Sequence, residues 1–196
     1  WLFDTVARQW AEWHARGRDL RISVNLCMRN VLEPGLRVLV AGALRRHGMP
    51  PGCLVVEITE STAMRDPERV RRTLLELTDM GIRIAIDDFG TGYSSLSHLS
   101  RMPIDELKID QSFLKNLAVS RLDQAIVQSI VDLAHNLNLS VVAAGVEGPE
   151  VLPLLKRWNC EFAQGFYLGE PVPAEQLTPY LLTRCVLRSW KHRAVS

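Results

Sequence analysis

No apolar run in this chain approaches the roughly 20 residues that cross a bilayer, and no signal-peptide pattern opens it. A membrane-spanning reading is therefore excluded for this stretch. A basic excess is also missing. The 23 Lys and Arg against 22 Asp and Glu leave a formal charge of +1, without the electrostatic footprint of a nucleic-acid binder. The charge runs "RGRDLR" and "RVRR" read as solvated helix faces and ends. Cysteines are few and unpaired in spacing: Cys27, Cys53, Cys160 and Cys185 form no CxxC motif. That spacing excludes a zinc site, and a disulfide framework is out of place in a chain this large. We read them as reduced thiols, which fits a cytoplasmic domain. Internal repeats and low-complexity segments are absent as well. What remains is a chain of 196 residues, 47% of them hydrophobic, enough to build the core of one domain.

Periodicity and breakers divide the chain into alternating elements. Residues 1–17 read as an amphipathic helix, with Leu2, Val6, Trp10 and Trp13 at helical spacing and Gly17 at its end. "RISVNL" (Arg21–Leu26) is the first strand. A helix over 35–47 stops at "HGMPPG", and "LVVEIT" (Leu54–Thr59) is the second strand. Asp66 and Pro67 open a helix that ends at Gly81. "IRIAID" is the third strand, followed by a glycine loop and a short helix over Leu96–Ser100. "DELKID" (Asp105–Asp110), "SVVAAG" (Ser140–Gly145) and "CEFAQG" (Cys160–Gly165) are the remaining strands. A long helix over 121–138 and a segment "PEVLPLLKRWN", kinked at Pro153, lie between them. One or two helices fit the tail "PAEQLTPYLLTRCVLRSWK". Strands that alternate with helices call for a parallel sheet with helical crossovers.

The polar residues sit where such a sheet would use them. Asn25, Glu57, the pair Asp87 and Asp88, Lys108, Glu147 and Gln164 fall near the ends of successive strands. In a parallel barrel these ends meet on one face. Alone, the "DD" would be a helix N-cap, Lys108 an ion-pair partner, and Glu57 with Glu60 the start of a helix. Together they describe a pocket of carboxylates, an amide and one lysine. Adjacent aspartates repel, and burying both is costly without a compensating cation. Hard divalent ions such as Mg2+, Mn2+ or Ca2+ take such oxygen ligands, and paired ions are a recurrent device for phosphoester hydrolysis. The absence of a histidine cluster argues against zinc.

"SVNL", "VEITES", "IAIDDFGTGYSSLSHL", "LKID", "VVAAGVE" and "FAQGFYLGEPVP" follow one another as in the EAL domain family. The chain resembles that family from about residue 1 to 180. The resemblance implies a modified TIM barrel of which this chain holds six of the eight strands. The first two strands would then lie upstream of Trp1, in an N-terminally truncated domain. It also implies metal-dependent hydrolysis of cyclic di-GMP to linear pGpG. By that resemblance Asn25, Glu57 and Asp87 hold a first ion (Mg2+ or Mn2+), and Asp88 a second, with Asp87 bridging. Lys108 positions the attacking water. Glu60 holds the "DDFGTGYSSL" loop, which also contributes to a homodimer. Glu147 and Gln164 face the substrate, and an upstream sensor or diguanylate-cyclase-like domain is expected.

The chain departs from the family at informative places. The Glu-Ala-Leu segment that names the family is absent: either the chain starts after it or the parent lacks it. Ala144 stands where the family has a glutamate that resembles a second-metal ligand and general base. Cys27 replaces a usual serine and Gln111 a usual arginine. The expectation is a catalytically impaired domain that acts in cyclic di-GMP binding and signalling. The alternatives are an active phosphodiesterase and a protein-interaction module that ignores the nucleotide.

Overall fold

The computed structural model describes residues 1–92 and 96–183. Six strands form one sheet in chain order, each hydrogen-bonded to its successor and all parallel. They are β1 (Ile22–Asn25), β2 (Leu54–Thr59), β3 (Arg83–Phe89), β4 (Glu106–Ile109), β5 (Ser140–Ala144) and β6 (Phe162–Gln164). The helices are α1 (Leu2–His14), α2 (Met28–Val31), α3 (Leu36–His47), α4 (Glu60–Arg65), α5 (Pro67–Thr78), α6 (Leu96–Leu99), α7 (Arg121–Asn136), α8 (Leu152–Arg157) and α9 (Ala174–Thr183). The sheet curls into a half-barrel: the guanidinium of Arg21, just before β1, lies 5.3 Å from the ring centroid of Phe162 at the start of β6.

Strand side chains alternate between two faces, and here the faces have different jobs. Val24, Val56, Ile58, Ile84, Ile86, Leu107, Ile109, Val141 and Ala143 belong to the main core. That core also takes Val40 and Leu44 of α3, Leu74 of α5 and Val131 of α7, so the helices cover the outer face of the sheet. The inner face carries the polar set. Asn25 pairs with Glu57, Glu57 with Ala85 and Ala85 with Glu106, while Lys108 pairs with Val142 and Ala144 with Gln164.

Local chemistry explains the helix starts. Thr59 accepts the backbone N–H of Thr62 and caps α4, so Glu60 does open a helix. Asp66 caps α5, and Ser120 caps α7 by accepting the N–H of Asp123. In α1, Trp10 and Trp13 are buried as core, whereas Leu2 at the exposed first turn is not. The segment before Pro153 differs from expectation. It is a separate 3-10 turn, Pro149–Val151, and Pro153 lies in the first turn of α8 without kinking it. Proline lacks an N–H that this turn does not need. In the tail, α9 ends at Thr183 and Arg184–Lys191 lie outside the described residues.

Among the described residues, the three thiols are unpaired. Cys160 is buried, and burial pushes its pKa up to about 12; Cys27 is exposed and Cys53 partly so. Alkylation of the native protein at pH 8 should therefore mark Cys27 and leave Cys160 untouched until denaturant is added. Mass spectrometry of the labelled peptides checks this, and native labelling of Cys160 would contradict its burial.

Candidate active site at the strand ends

A β-bulge answers how two neighbouring aspartates can face one cleft. Ile86 pairs with Leu107, but Phe89 pairs with Ile109, so β3 spends one residue more than β4 over the same length. In an unbroken strand Asp87 and Asp88 would point to opposite faces. Here Asp88 adopts φ 55°, its N–H donates to Asp87 Oδ1 at 3.0 Å, and both line the same cleft. Gly90 follows with φ 100°, continuing a turn that begins at Asp88 itself.

Below them lies a buried ion triad. Lys108 Nζ donates to Glu57 Oε2 at 2.5 Å and to Asp87 Oδ2 at 3.2 Å. Lys108 and Glu57 are each only 5% exposed, so neither charge is left to water. Burial alone would lower the pKa of Lys108. The hydrogen bond and charge of Glu57, with those of Asp87, more than reverse this and hold it above its usual value. Lys108 is thus a fixed cation shared by two carboxylates. Asp88 shows the opposite pressure. Burial first, then the charges of Asp87 and Asp110, raise its pKa, and Lys108 only partly offsets them.

The cleft above the triad holds about 250 Å³. Asp87, Asp88, Lys108 and Asp110 line one side, and Ala144, Gly145, Glu147 and Gln164 the other. Three residues expected in the site stand outside this lining: Glu57, which reaches it only through Lys108, and Asn25 and Glu60. Asn25 is exposed on β1, one strand over from Glu57. Glu60 is only 2% exposed and sits behind the cleft. Its Oε2 accepts the N–H of Gly90 at 2.8 Å, and a Cβ at Gly92 would come within 2.9 Å of its Oε1. Glu60 therefore ties α4 to the start of the glycine loop, in agreement with a positioning role. Its Oε1 is buried without a hydrogen-bond partner among the described residues.

Among the side chains that line the cleft, Asp110 and Phe166 were not singled out by the sequence, and Gln111 figured there only as a departure from the family's usual arginine. Asp110 had a legible signal, since it follows Lys108 by two positions and so shares its side of the strand. Gln111 touches the cleft through tertiary packing. Gly145 has φ 86°, and a Cβ there would overlap the Gln111 side chain. Phe166 is two-thirds exposed on the loop after β6.

As donors, Asn25, Glu57, Asp87 and Asp88 fit a hard divalent cation by type: amide and carboxylate oxygens, with no soft ligand among them. Glu57 and Asp87 already converge on one positive centre, Lys108. Among the described residues no group of three His, Cys, Asp or Glu side chains is gathered closely enough to hold an ion unaided.

These features meet in a known family: the EAL domain family matches residues 1–171. This chain belongs to it. The EAL domain is 48% identical over 178 residues to the bifunctional diguanylate cyclase/cyclic di-GMP phosphodiesterase MucR of Pseudomonas aeruginosa, covering 90% of this chain and 26% of that protein. It is 38% identical to the signaling protein YkoW of Bacillus subtilis, covering 93% of this chain and 23% of that one. The chain thus spans about a quarter of the length of these curated relatives. Among solved structures, the Pseudomonas aeruginosa MucR phosphodiesterase in complex with c-di-GMP superposes with a TM-score of 0.86 at 48% identity, over 90% of this chain and 72% of that one. The EAL domain of Mycobacterium smegmatis DcpA gives 0.87 at 38% identity, over 92% and 82%. The EAL domain is therefore an α/β modified TIM barrel, represented here by six parallel strands. Among the described residues no helix is long and apolar enough to cross a membrane.

Proposed function

We propose that this EAL domain binds cyclic di-GMP in the strand-end cleft and hydrolyses it slowly or not at all. One observation carries the reading: Ala144 lines the same cleft as Asp87, Asp88 and Lys108. Its methyl group offers no oxygen to an ion and accepts no proton from water, at the position where the family resemblance implies a glutamate doing both. Loss of a general base costs about 10²–10⁴-fold in rate. Asp87, Asp88, Lys108, Glu147 and Gln164 line this cleft, and a relative 48% identical has been solved with c-di-GMP.

In this reading Asn25, Glu57 and Asp87 would hold one Mg2+ or Mn2+ ion and Asp88 a second, weakened by Ala144. Such ions supply Lewis acidity at phosphoryl oxygens and compensate the clustered carboxylates. Lys108, kept protonated by Glu57 and Asp87, orients water and neutralises developing charge. Glu147 and Gln164 contact the nucleotide from the facing strands. Glu60 keeps the glycine loop in register with the site. A homodimer fits the exposed Val119 and Leu122 beside the apolar groove of α7 lined by Ile126, Ile130 and Leu133. The barrel would be completed by two strands preceding Trp1, in a protein carrying a sensor or diguanylate-cyclase-like domain.

Calorimetric titration of the full-length protein should show saturable cyclic di-GMP binding, with little pGpG by chromatography of the same mixture containing Mg2+ or Mn2+. Turnover at ordinary enzyme rates would replace this reading with that of an active phosphodiesterase. Absence of binding by folded protein would leave the interaction-module alternative.

A further inference from the structure

Helix α3 carries an outward face that nothing among the described residues covers. Its inner side, with Leu36, Val40, Ala43 and Leu44, is buried. Helices α1 and α5 flank it. Strands added at the edges of the sheet would therefore not reach its outward side. With about 100° between successive residues, that side is the line Gly35, Val38, Gly42 and Arg45, with Leu39 beside it. Val38 is 71% and Leu39 60% exposed.

Gly42 has no task within the molecule. Its backbone is ordinary helix, where glycine is less stable than alanine. A Cβ there would meet only Arg46 Nη1, the end of a flexible side chain, at 3.4 Å. Neither a positive φ nor internal crowding calls for it. A glycine that leaves a notch one turn from an exposed valine suits the close approach of another helix.

The face is complementary to itself. In an antiparallel pair centred at the level of residue 40, Val38 of each helix falls opposite Gly42 of the other, knob against notch. Arg45 falls opposite Gly35 of the other copy, close to Glu33 just before that helix. Arg45 donates only to the carbonyl of Ala41, and among the described residues neither Arg45 nor Glu33 is in an ion pair. The other arginines of α3 leave this seam clear: Arg46 is held by Asp4, and Arg37 lies off the line.

We propose that α3 is an interface between two copies of this chain, packed antiparallel with Val38 of one copy over Gly42 of the other. Such a contact is isologous, each copy using the same patch. One helix face buries less than a stable dimer needs, so the contact is a weak one. It is separate from the α7 surface and independent of the cyclic di-GMP reading.

The test is cross-linking by a short bis-maleimide of two full-length variants, Glu33→Cys and Arg45→Cys, both with Cys27→Ser and Cys185→Ser to lower background. Antiparallel packing predicts cross-linked dimer from the mixture and none from either variant alone. Adding Val38→Glu to both should cut that yield at least about tenfold, since it buries a charge against the notch. Adding Gly42→Gln should also cut the yield, yet raise the thermal midpoint, because glutamine is the better helix former. No cross-link above the single-variant background, or a yield that Val38→Glu leaves unchanged, overturns the proposal. Single variants that cross-link as well as the mixture overturn the antiparallel arrangement, and a lowered midpoint in Gly42→Gln overturns the role given to the glycine. Cyclic di-GMP titration of Val38→Glu should match the parent, so the two readings can fail separately.

Discussion

Replacing Ala144 with glutamate should raise metal-dependent conversion of cyclic di-GMP to pGpG by about 10²–10⁴-fold, the usual worth of a positioned general base. The position allows it. Ala144 pairs with Gln164 at the end of β5 and faces the same cleft as Lys108 and Asp88. It is partly exposed, so a longer side chain has somewhere to go. The new carboxylate would join Asp87, Asp88 and Asp110, where burial first and then the neighbouring carboxylates already raise the pKa of Asp88. The variant should therefore be less stable than the parent in chelator and recover with Mg2+. Ala144→Gln separates the two roles: it offers an oxygen ligand but no proton acceptor. Recovery with glutamate alone identifies the base, and equal recovery with both identifies the ligand. Flat activity in both would mean that residue 144 does not face the reacting phosphate, and the impaired-enzyme reading would lose its support. Product chromatography over time is the measurement.

The second large effect is on stability. Lys108→Met should cost roughly 3–5 kcal/mol, the typical penalty for stranding one partner of a buried pair. Glu57 is only 5% exposed and would lose its hydrogen bond and counter-charge together. Asp87, more open to water, would suffer less. Urea unfolding in chelator measures the loss. The double variant Lys108→Met, Glu57→Leu should recover most of it, because no uncompensated charge remains. Added Mg2+ should restabilise Lys108→Met more than the parent, if Glu57 and Asp87 can share a divalent ion as they share the ammonium. A loss below about 1 kcal/mol, the scale of an exposed ion pair, would mean that the triad is not the buried anchor its geometry describes.

Much of the architecture was readable from short-range pattern. The strand of Leu54–Thr59 and the capped helix beginning at Asp66 and Pro67 emerged almost to the residue. Alternation of apolar and polar side chains, glycine and proline breaks, and cap residues all act within a few positions of the chain. The same pattern placed Glu57, Asp87 and Lys108 near successive strand ends. Pro153 was misread because a proline in a first turn and one that kinks a helix look alike until the preceding turn is seen.

What the amino-acid order determined by itself is the sequence of elements and the identity of the polar residues at their ends, since both follow from local backbone preference and side-chain spacing. Only the assembled sheet decided how those residues meet. The extra residue in β3 exists only relative to β4, and it is what turns Asp87 and Asp88 to the same side. Lys108 finds Glu57 two strands away, and Gln111 reaches the cleft only because Gly145 leaves room for it. Each of these is a relation between strands far apart along the chain, set by register and close packing.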